Sequence, residues 1–134
     1  MNAIPTQAGA LLARCRRLLA AHRCRAKAVG QVLDYDLDDL RRLIESSPCC
    51  RWCRLPVGFD LQLDHLHPIG RGGQFALYNL CIACGRCNRL RGMLTEAETL
   101  HLLEFLGDIG PVARADLERR LLAGAKRYGK RETP

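Results

Sequence analysis

Two Cys-x-x-Cys pairs constrain this chain of 134 residues more than any other feature. Cys50 and Cys53 form the first pair, and Cys84 and Cys87 form the second. Together they offer four thiolates, the number that a tetrahedral structural Zn²⁺ ion requires. The segment between the pairs, residues 54–83, is long for a simple zinc ribbon. We therefore expect a zinc site with a further folded unit between its two halves.

The chain has eight cysteines in all, which fits either a disulfide scaffold or a metal site. The apolar run at 8–13 is too short for a secretory signal and is followed by Arg14. We therefore expect a cytoplasmic, reducing location, which favours metal over disulfides. Cys49 is an alternative to Cys50 as a ligand. The cysteines outside the paired spacing are expected to be small buried core residues: Cys15, Cys24, Cys49 and Cys81.

The charge of the chain points to a polyanionic partner. Lysine and arginine number 21 against 14 acidic residues, which gives a net charge of +7. The first 33 residues carry six basic groups and no acid. No apolar run approaches the roughly 18 to 20 residues that a bilayer span needs, so we expect no membrane partner.

Hydrophobic periodicity predicts helices on both sides of the cysteine-rich segment. An amphipathic helix with a basic side is expected over 8–28, and a second helix over 37–46 with Asp36 as its N-cap. Thr95 followed by Glu98 forms a capping box that starts another helix, and a last helix is expected over 112–123.

The middle of the chain has a different pattern, because proline and glycine punctuate short apolar runs there. Residues 59–65 and 77–82 predict two strands, separated by the turn-rich stretch 68–73. A short helix is expected to begin near Gly85. The predicted fold class is therefore α+β.

This middle segment also carries a set of motifs in a fixed order. After Cys50-x-x-Cys53 come Asp64-His65-Leu66-His67-Pro68, Gly72-Gly73, Asn79-Leu80 and Cys84-x-x-Cys87-Asn88-x-x-Arg91-Gly92. With this order and spacing, residues 48–94 resemble the HNH endonucleases of the zinc-stapled ββα-metal (His-Me finger) type. The length of the chain predicts a single domain over 1–134. Within it we expect a helical extension at 1–47, the core at 48–94 that resembles HNH endonucleases, and further helices at 95–134.

The resemblance also implies a role for each motif residue in hydrolysing phosphodiester bonds of DNA. His65 would be the general base, since a neutral imidazole accepts a proton from water near pH 7. Asp64 and Asn88 would hold one catalytic divalent cation, Mg²⁺ or Mn²⁺, because hard cations prefer oxygen ligands. Asn79 would fix the loop that carries the base, and Zn²⁺ on the four paired cysteines would be structural.

Basic residues near the motifs are of the type that binds DNA phosphate groups and so positions the DNA. We expect the DNA to be double-stranded. The basic side of the first helix is equally well explained as a solvated surface or as a surface that contacts the DNA backbone. The expected DNA contacts are Arg71, Arg86, Arg89 and Arg91, with Arg16, Arg17, Arg23 and Lys27 on the first helix.

Two alternatives stay open at the level of sequence. His67 has the type and spacing to assist the metal, to contact phosphate or to be structural. The whole segment also fits a non-catalytic zinc-dependent nucleic-acid-binding protein, in which Asp64 and His65 stabilise a turn while Asn79 and Asn88 act as caps. The sequence does not indicate which DNA sequence is the target, whether one or both strands are cleaved, or what the oligomeric state is.

Overall fold

The computed structural model describes residues 7–58 and 60–129. This part of the chain contains five α-helices and a two-stranded antiparallel sheet, which confirms the α+β class. The helices are α1 (Gln7–Ala28), α2 (Leu37–Ser46), α3 (Gly85–Arg91), α4 (Glu96–Asp108) and α5 (Pro111–Gly129), and the strands are β1 (Leu61–His65) and β2 (Leu80–Cys84). Within the described residues, no helix is long and apolar enough to cross a membrane.

Two helix starts follow the predicted capping chemistry. The Asp36 side chain accepts the Asp39 backbone N–H at 2.9 Å, and the Asp39 side chain accepts the Asp36 N–H at 3.0 Å. Thr95 and Glu98 form the same reciprocal pair at the start of α4. Each cap satisfies backbone N–H groups that the first helical turn leaves without partners.

The second strand begins three residues later than the sequence predicts. Residues 77–79 form a 3₁₀ turn instead, in which the Leu77 N–H donates to Asp34 Oδ1 at 2.8 Å and the Asn79 N–H donates to the Ala76 carbonyl. The apolar character of Leu77 and Tyr78 favoured a strand, yet both side chains are exposed. Of the predicted first strand, Phe59 lies outside the described residues, and pairing begins at Leu61.

The β1–β2 hairpin separates two groups of packed side chains. Leu61 pairs with Cys84, Leu63 with Ile82 and His65 with Leu80, so these residues share one face. Their apolar members pack with Cys15 and Leu19 of α1 and with Leu40 and Ile44 of α2. The opposite face carries Gln62 and Asp64 beside Cys81 and Ala83, which pack with Trp52 and Cys87.

This alternation places Asp64 and His65, neighbours in sequence, on opposite faces of the hairpin.

The helices α1 and α2 precede residue 48, and α4 and α5 follow residue 94. That the whole chain forms one domain with these segment boundaries stays a prediction.

Candidate functional site

The four paired cysteines come together in one cluster. The Sγ atoms of Cys50, Cys53, Cys84 and Cys87 all lie within 4.8 Å of one another, and those of Cys53 and Cys84 are 4.0 Å apart. A tetrahedron with Zn–S bonds of about 2.3 Å has sulfur–sulfur edges of about 3.8 Å. The cluster therefore fits a structural Zn²⁺ ion. Cys50, rather than Cys49, is the member of the cluster.

Local backbone hydrogen bonds bring the two halves of the cluster together. The Arg51 N–H donates to the Ile82 carbonyl at 2.9 Å, which ties the first Cys-x-x-Cys loop to β2. The Arg54 N–H closes that loop on the Cys50 carbonyl at 2.9 Å. Cys84 is both the last residue of β2 and the N-cap of α3, where its Sγ accepts the Cys87 N–H. A zinc ion there would join the loop, the hairpin and α3.

The remaining cysteines have three different environments. Cys15 and Cys81 are buried, as predicted, and burial raises the pKa of the Cys81 thiol to about 12. Cys49 is half-buried. Cys24 is exposed, so the prediction that it is a core residue is wrong, because its position on α1 faces away from the hairpin core.

The carboxylate of Asp64 is buried and makes two contacts through a single oxygen. Oδ2 accepts a hydrogen bond from Trp52 Nε1 at 3.0 Å and lies 2.7 Å from Arg91 Nη1. The other oxygen, Oδ1, has no hydrogen-bond partner among the residues that the structure describes. Asp64 thus retains one oxygen for a further ligand.

Arg91 is buried, although the sequence analysis expected it to contact DNA phosphate. Nε donates to Thr99 Oγ1 at 3.2 Å, Nη1 to the His65 carbonyl at 2.6 Å, and Nη2 to the Leu66 and Leu94 carbonyls at 2.9 and 2.8 Å. Nη1 also forms an ion pair with Asp64 Oδ2 at 2.7 Å. The guanidinium therefore makes four hydrogen bonds and an ion pair inside the protein. The side chain also lies over the Trp52 ring, 4.5 Å from its centroid.

The imidazole of His65 is enclosed by two rings. The His22 ring from α1 stacks on it with centroids 5.4 Å apart, and the Phe75 ring meets it edge-on at 5.1 Å. Burial, followed by the positive charges of Arg25 and Arg91, lowers the pKa of His65 to about 4. The ring is therefore neutral at pH 7. Its Nε2 atom is buried and has no hydrogen-bond partner within the described part of the chain.

His22 is held in place by Tyr35, because His22 Nδ1 and the Tyr35 hydroxyl share a hydrogen bond of 2.6 Å. Burial, followed by the charges of His65 and Arg25, lowers the pKa of His22 to about 4. No pattern in the sequence indicates that His22 contacts His65. Arg25 was also missed as a neighbour of this site, and its guanidinium lies 5.8 Å from the Phe75 centroid. Its spacing of three residues from His22 on α1 was the available signal.

Asn79 is buried and fixes the segment that follows His65. Its Oδ1 accepts the His67 N–H at 2.8 Å, and its Nδ2 donates to the His67 and Gln74 carbonyls at 3.0 and 2.9 Å. Gly73 closes the same loop, since a Cβ atom there would lie 2.0 Å from the His67 carbonyl oxygen. These contacts agree with the loop-fixing role that the resemblance implies for Asn79.

Asn88 on α3 is half-buried and reaches β1. Its Nδ2 donates to Gln62 Oε1 at 2.6 Å. Gln62 lies on the same hairpin face as Asp64. The Asn88 Oδ1 atom has no hydrogen-bond partner among the described residues, so it too retains an oxygen that a cation could use.

The exposed basic residues differ in how far their charge is already paired. Arg71 forms an ion pair with Glu98 at 2.6 Å, and Arg86 forms one with Glu118 at 2.5 Å. Arg89 is exposed and has no acidic partner in the described part of the chain. The same is true of four residues on α1: Arg16, Arg17, Arg23 and Lys27.

His67 is exposed, and its Nε2 lies 2.9 Å from the Arg71 carbonyl oxygen.

Comparison with known proteins bears on the segment that holds both cysteine pairs. No curated protein matches the chain. The family model described as HNH endonuclease matches residues 50–93, and this stretch includes Asp64, His65, Asn79 and Asn88. For this third of the chain, the match confirms the predicted resemblance to HNH endonucleases.

Proposed function

We propose that this protein is a metal-dependent endonuclease that cleaves DNA with a zinc-stapled ββα-metal core built from β1, β2 and α3. One observation carries the proposal. Asp64 and Asn88, both within the matched segment, each keep one side-chain oxygen without a partner among the described residues. Asn88 bonds to Gln62, which shares the hairpin face of Asp64, so the two oxygens belong to one side of the hairpin.

A carboxylate and an amide oxygen suit a Mg²⁺ or Mn²⁺ ion that keeps waters and a substrate phosphate as its other ligands. We assign Asp64 Oδ1 and Asn88 Oδ1 as the protein ligands of this catalytic cation. When bound, such an ion neutralises negative charge that develops on the phosphate during hydrolysis. The four-cysteine zinc site is separate and holds α3 against the hairpin.

His65 is the proposed general base, and its neutral ring is in the protonation state that this role requires. A water oxygen attacks the scissile phosphorus while the imidazole takes the water proton. The bond from phosphorus to the 3′ oxygen then breaks, and that oxygen gains a proton from solvent. The products carry a 5′-phosphate and a 3′-hydroxyl.

The position of His65 sets two conditions on this mechanism. The ring lies on the hairpin face opposite Asp64, so the scissile phosphate has to bind at the end of β1, where both side chains can reach it. The ring is also enclosed. A water has to reach Nε2, which His22 and Phe75 cover in this structure. Binding of DNA must therefore be accompanied by a shift of one of these two rings. Arg89 and the basic side of α1 are the proposed backbone contacts, since their charges have no acidic partner among the described residues.

A second candidate is a non-catalytic zinc-dependent protein that binds nucleic acid. It is favoured by the enclosure of His65 and by the ion pair that Arg91 makes with Asp64, because both groups already serve the packing of the hairpin. This candidate needs the zinc cluster and the basic surface but no accessible base and no second cation.

Incubation with supercoiled plasmid separates the two candidates. The purified protein, with its zinc content measured, is tested with added Mg²⁺ or Mn²⁺ and with no added divalent ion. This control is preferable to a strong chelator, which would also attack the zinc site. Nicked or linear product that depends on the added ion supports the nuclease. Binding without cleavage under every condition supports the second candidate.

A further inference from the structure

We infer that Arg91 is a positioning residue of the proposed nuclease site. Its guanidinium holds Asp64 by Oδ2 and leaves Oδ1 available to a divalent cation. This inference rests on the proposed function, and it replaces the DNA contact that the sequence analysis expected of Arg91. It concerns how the protein orients a proposed metal ligand before the metal binds.

The contacts of Arg91 span three separate parts of the site. Besides the Asp64 carboxylate, the guanidinium binds the carbonyls of His65 and Leu66, which fix the end of β1 and the residue after it. It also binds the Leu94 carbonyl and Thr99 Oγ1, beyond the end of α3. One side chain therefore sets the position of the Asp64–His65 backbone relative to the helix that carries Asn88.

The geometry of the ion pair leaves little freedom to the carboxylate. Oδ2 accepts the Trp52 indole N–H and forms the ion pair with Arg91 Nη1, and the guanidinium itself lies over the Trp52 ring. Two contacts on one oxygen restrict the rotation of the carboxyl group. Groups that orient a metal ligand in this way are known to tune metal affinity strongly.

Packing alone does not account for this ion pair. Removing two charges from water is costly, and well-packed apolar residues often stabilise a fold as well as a buried ion pair does. Arg91 is 3% exposed, and the paired Asp64 is 8% exposed, so both bear that cost. A DNA contact is a poor explanation for it, because the buried guanidinium already makes four internal hydrogen bonds besides the ion pair. Orientation of Asp64 explains why the charges are kept.

Trp52 provides a direct measurement that does not depend on cleavage. It is the single tryptophan of the chain, and its indole N–H contacts Asp64 Oδ2. Mn²⁺ is paramagnetic, so its binding at Asp64 should quench Trp52 fluorescence in a saturable way. We expect Asp64→Asn to abolish the saturable quenching. We expect Arg91→Lys to raise the midpoint for Mn²⁺ by about 10- to 100-fold, the usual cost of losing a group that orients a metal ligand.

The variants are compared at equal zinc content, with circular dichroism to confirm folding. Arg42→Lys, at an exposed arginine of α2 that is paired with Asp38, is the control and should leave the midpoint unchanged. If Arg91→Lys fails to fold, Thr99→Val replaces it, because that change leaves Arg91 in place and removes the acceptor of Nε, together with the hydrogen bond from Thr99 Oγ1 to the Thr95 carbonyl. We expect a smaller increase in the midpoint for Thr99→Val.

The outcomes separate this inference from the proposed function. Saturable quenching in the wild type with an unchanged midpoint in the folded Arg91 or Thr99 variant overturns the positioning role and leaves the cation site standing. The absence of saturable quenching in the wild type overturns the cation site itself, and the inference with it. A raised midpoint together with unchanged DNA affinity supports the inference.

Discussion

The imidazole of His65 is stacked on the imidazole of His22, with ring centroids 5.4 Å apart and ring planes inclined by 27°. His22 belongs to α1, which lies outside the segment that matches the HNH family. The proposed base is therefore covered by an element that the family motif does not include. Its chemical reactivity should depend on α1.

Replacement of His22 by Ala should expose His65. Diethyl pyrocarbonate acylates accessible neutral imidazoles, so we expect His65 to react several-fold faster in His22→Ala than in the wild type. Mass spectrometry of peptides after a short reaction gives the rate at each histidine. His67 and His101 are exposed and serve as internal references. An unchanged rate at His65 would contradict the covering role of His22.

Replacement of His65 by Ala should abolish cleavage in the plasmid assay. Loss of a general base typically lowers the rate by about 10²- to 10⁴-fold, and the zinc cluster and the basic surface remain intact. His67→Ala is the matched comparison, because the exposed His67 lies in the same segment and contacts only the Arg71 carbonyl through its ring. We expect His67→Ala to cleave at close to the wild-type rate. The reverse pattern would assign the base to His67.

Much of the site could be predicted from the sequence, because its interactions join residues that are close together in the chain or follow a fixed spacing. The Cys-x-x-Cys spacing determines which sulfur atoms meet, and the capping boxes at Asp36 and Thr95 bind backbone within their own first turn. Asn79 also acts within its loop, on His67 and Gln74. Such patterns need no knowledge of the tertiary fold.

The environment of Arg91 was not readable in this way. A lone arginine near a basic motif is usually exposed, and three of the four hydrogen-bond acceptors of Arg91 are backbone carbonyls, which the sequence does not distinguish. The stacking of His22 on His65 was not predictable for the same reason. The two residues belong to α1 and β1, and only the packing of α1 on the hairpin brings them together. Both features are tertiary contacts between segments far apart in the chain.

The stability of the protein should fall as the pH is lowered from about 6.5, because His22 is buried in its neutral form. Its pKa is about 4 in the folded state, lowered by burial, and about 6.5 in the unfolded chain. Between these values the unfolded state binds more protons, so the free energy of unfolding decreases as the pH falls, and it levels off about one pH unit above 6.5. We expect His22 to contribute about 1 kcal/mol to the decrease between pH 6.5 and pH 5.

Urea unfolding at several pH values measures this dependence. His22→Phe keeps a ring at the position but cannot be protonated, so its unfolding free energy should vary less over the same range. His101→Gln, on an exposed part of α4, is the control. Equal slopes for the wild type and His22→Phe would show that His22 does not cause the decrease.

Replacement of Cys84 or Cys87 by Ser should remove zinc and unfold the hairpin. Structural zinc contributes on the order of 10 kcal/mol or more of binding free energy in small metal-stabilised domains, and three thiolates hold it poorly. Elemental analysis and thermal unfolding measure the two effects. Cys24→Ser is the control, because Cys24 is exposed and lies outside the cluster. A well-folded wild type without zinc would contradict this prediction.

Neutralisation of the basic side of α1 should weaken DNA binding equally for unrelated sequences, since contacts to phosphate carry little sequence information. The test variant replaces four exposed residues by Gln: Arg16, Arg17, Arg23 and Lys27. Each lost phosphate contact should lower the slope of log affinity against log salt concentration by about 0.9 on duplex DNA. The control replaces Arg41 and Arg42 of α2, whose charges are already paired with Asp38, and should leave the slope nearly unchanged. Fluorescence anisotropy at several salt concentrations gives the slopes. A wild-type slope in the α1 variant would mean that this side of α1 is a solvated surface.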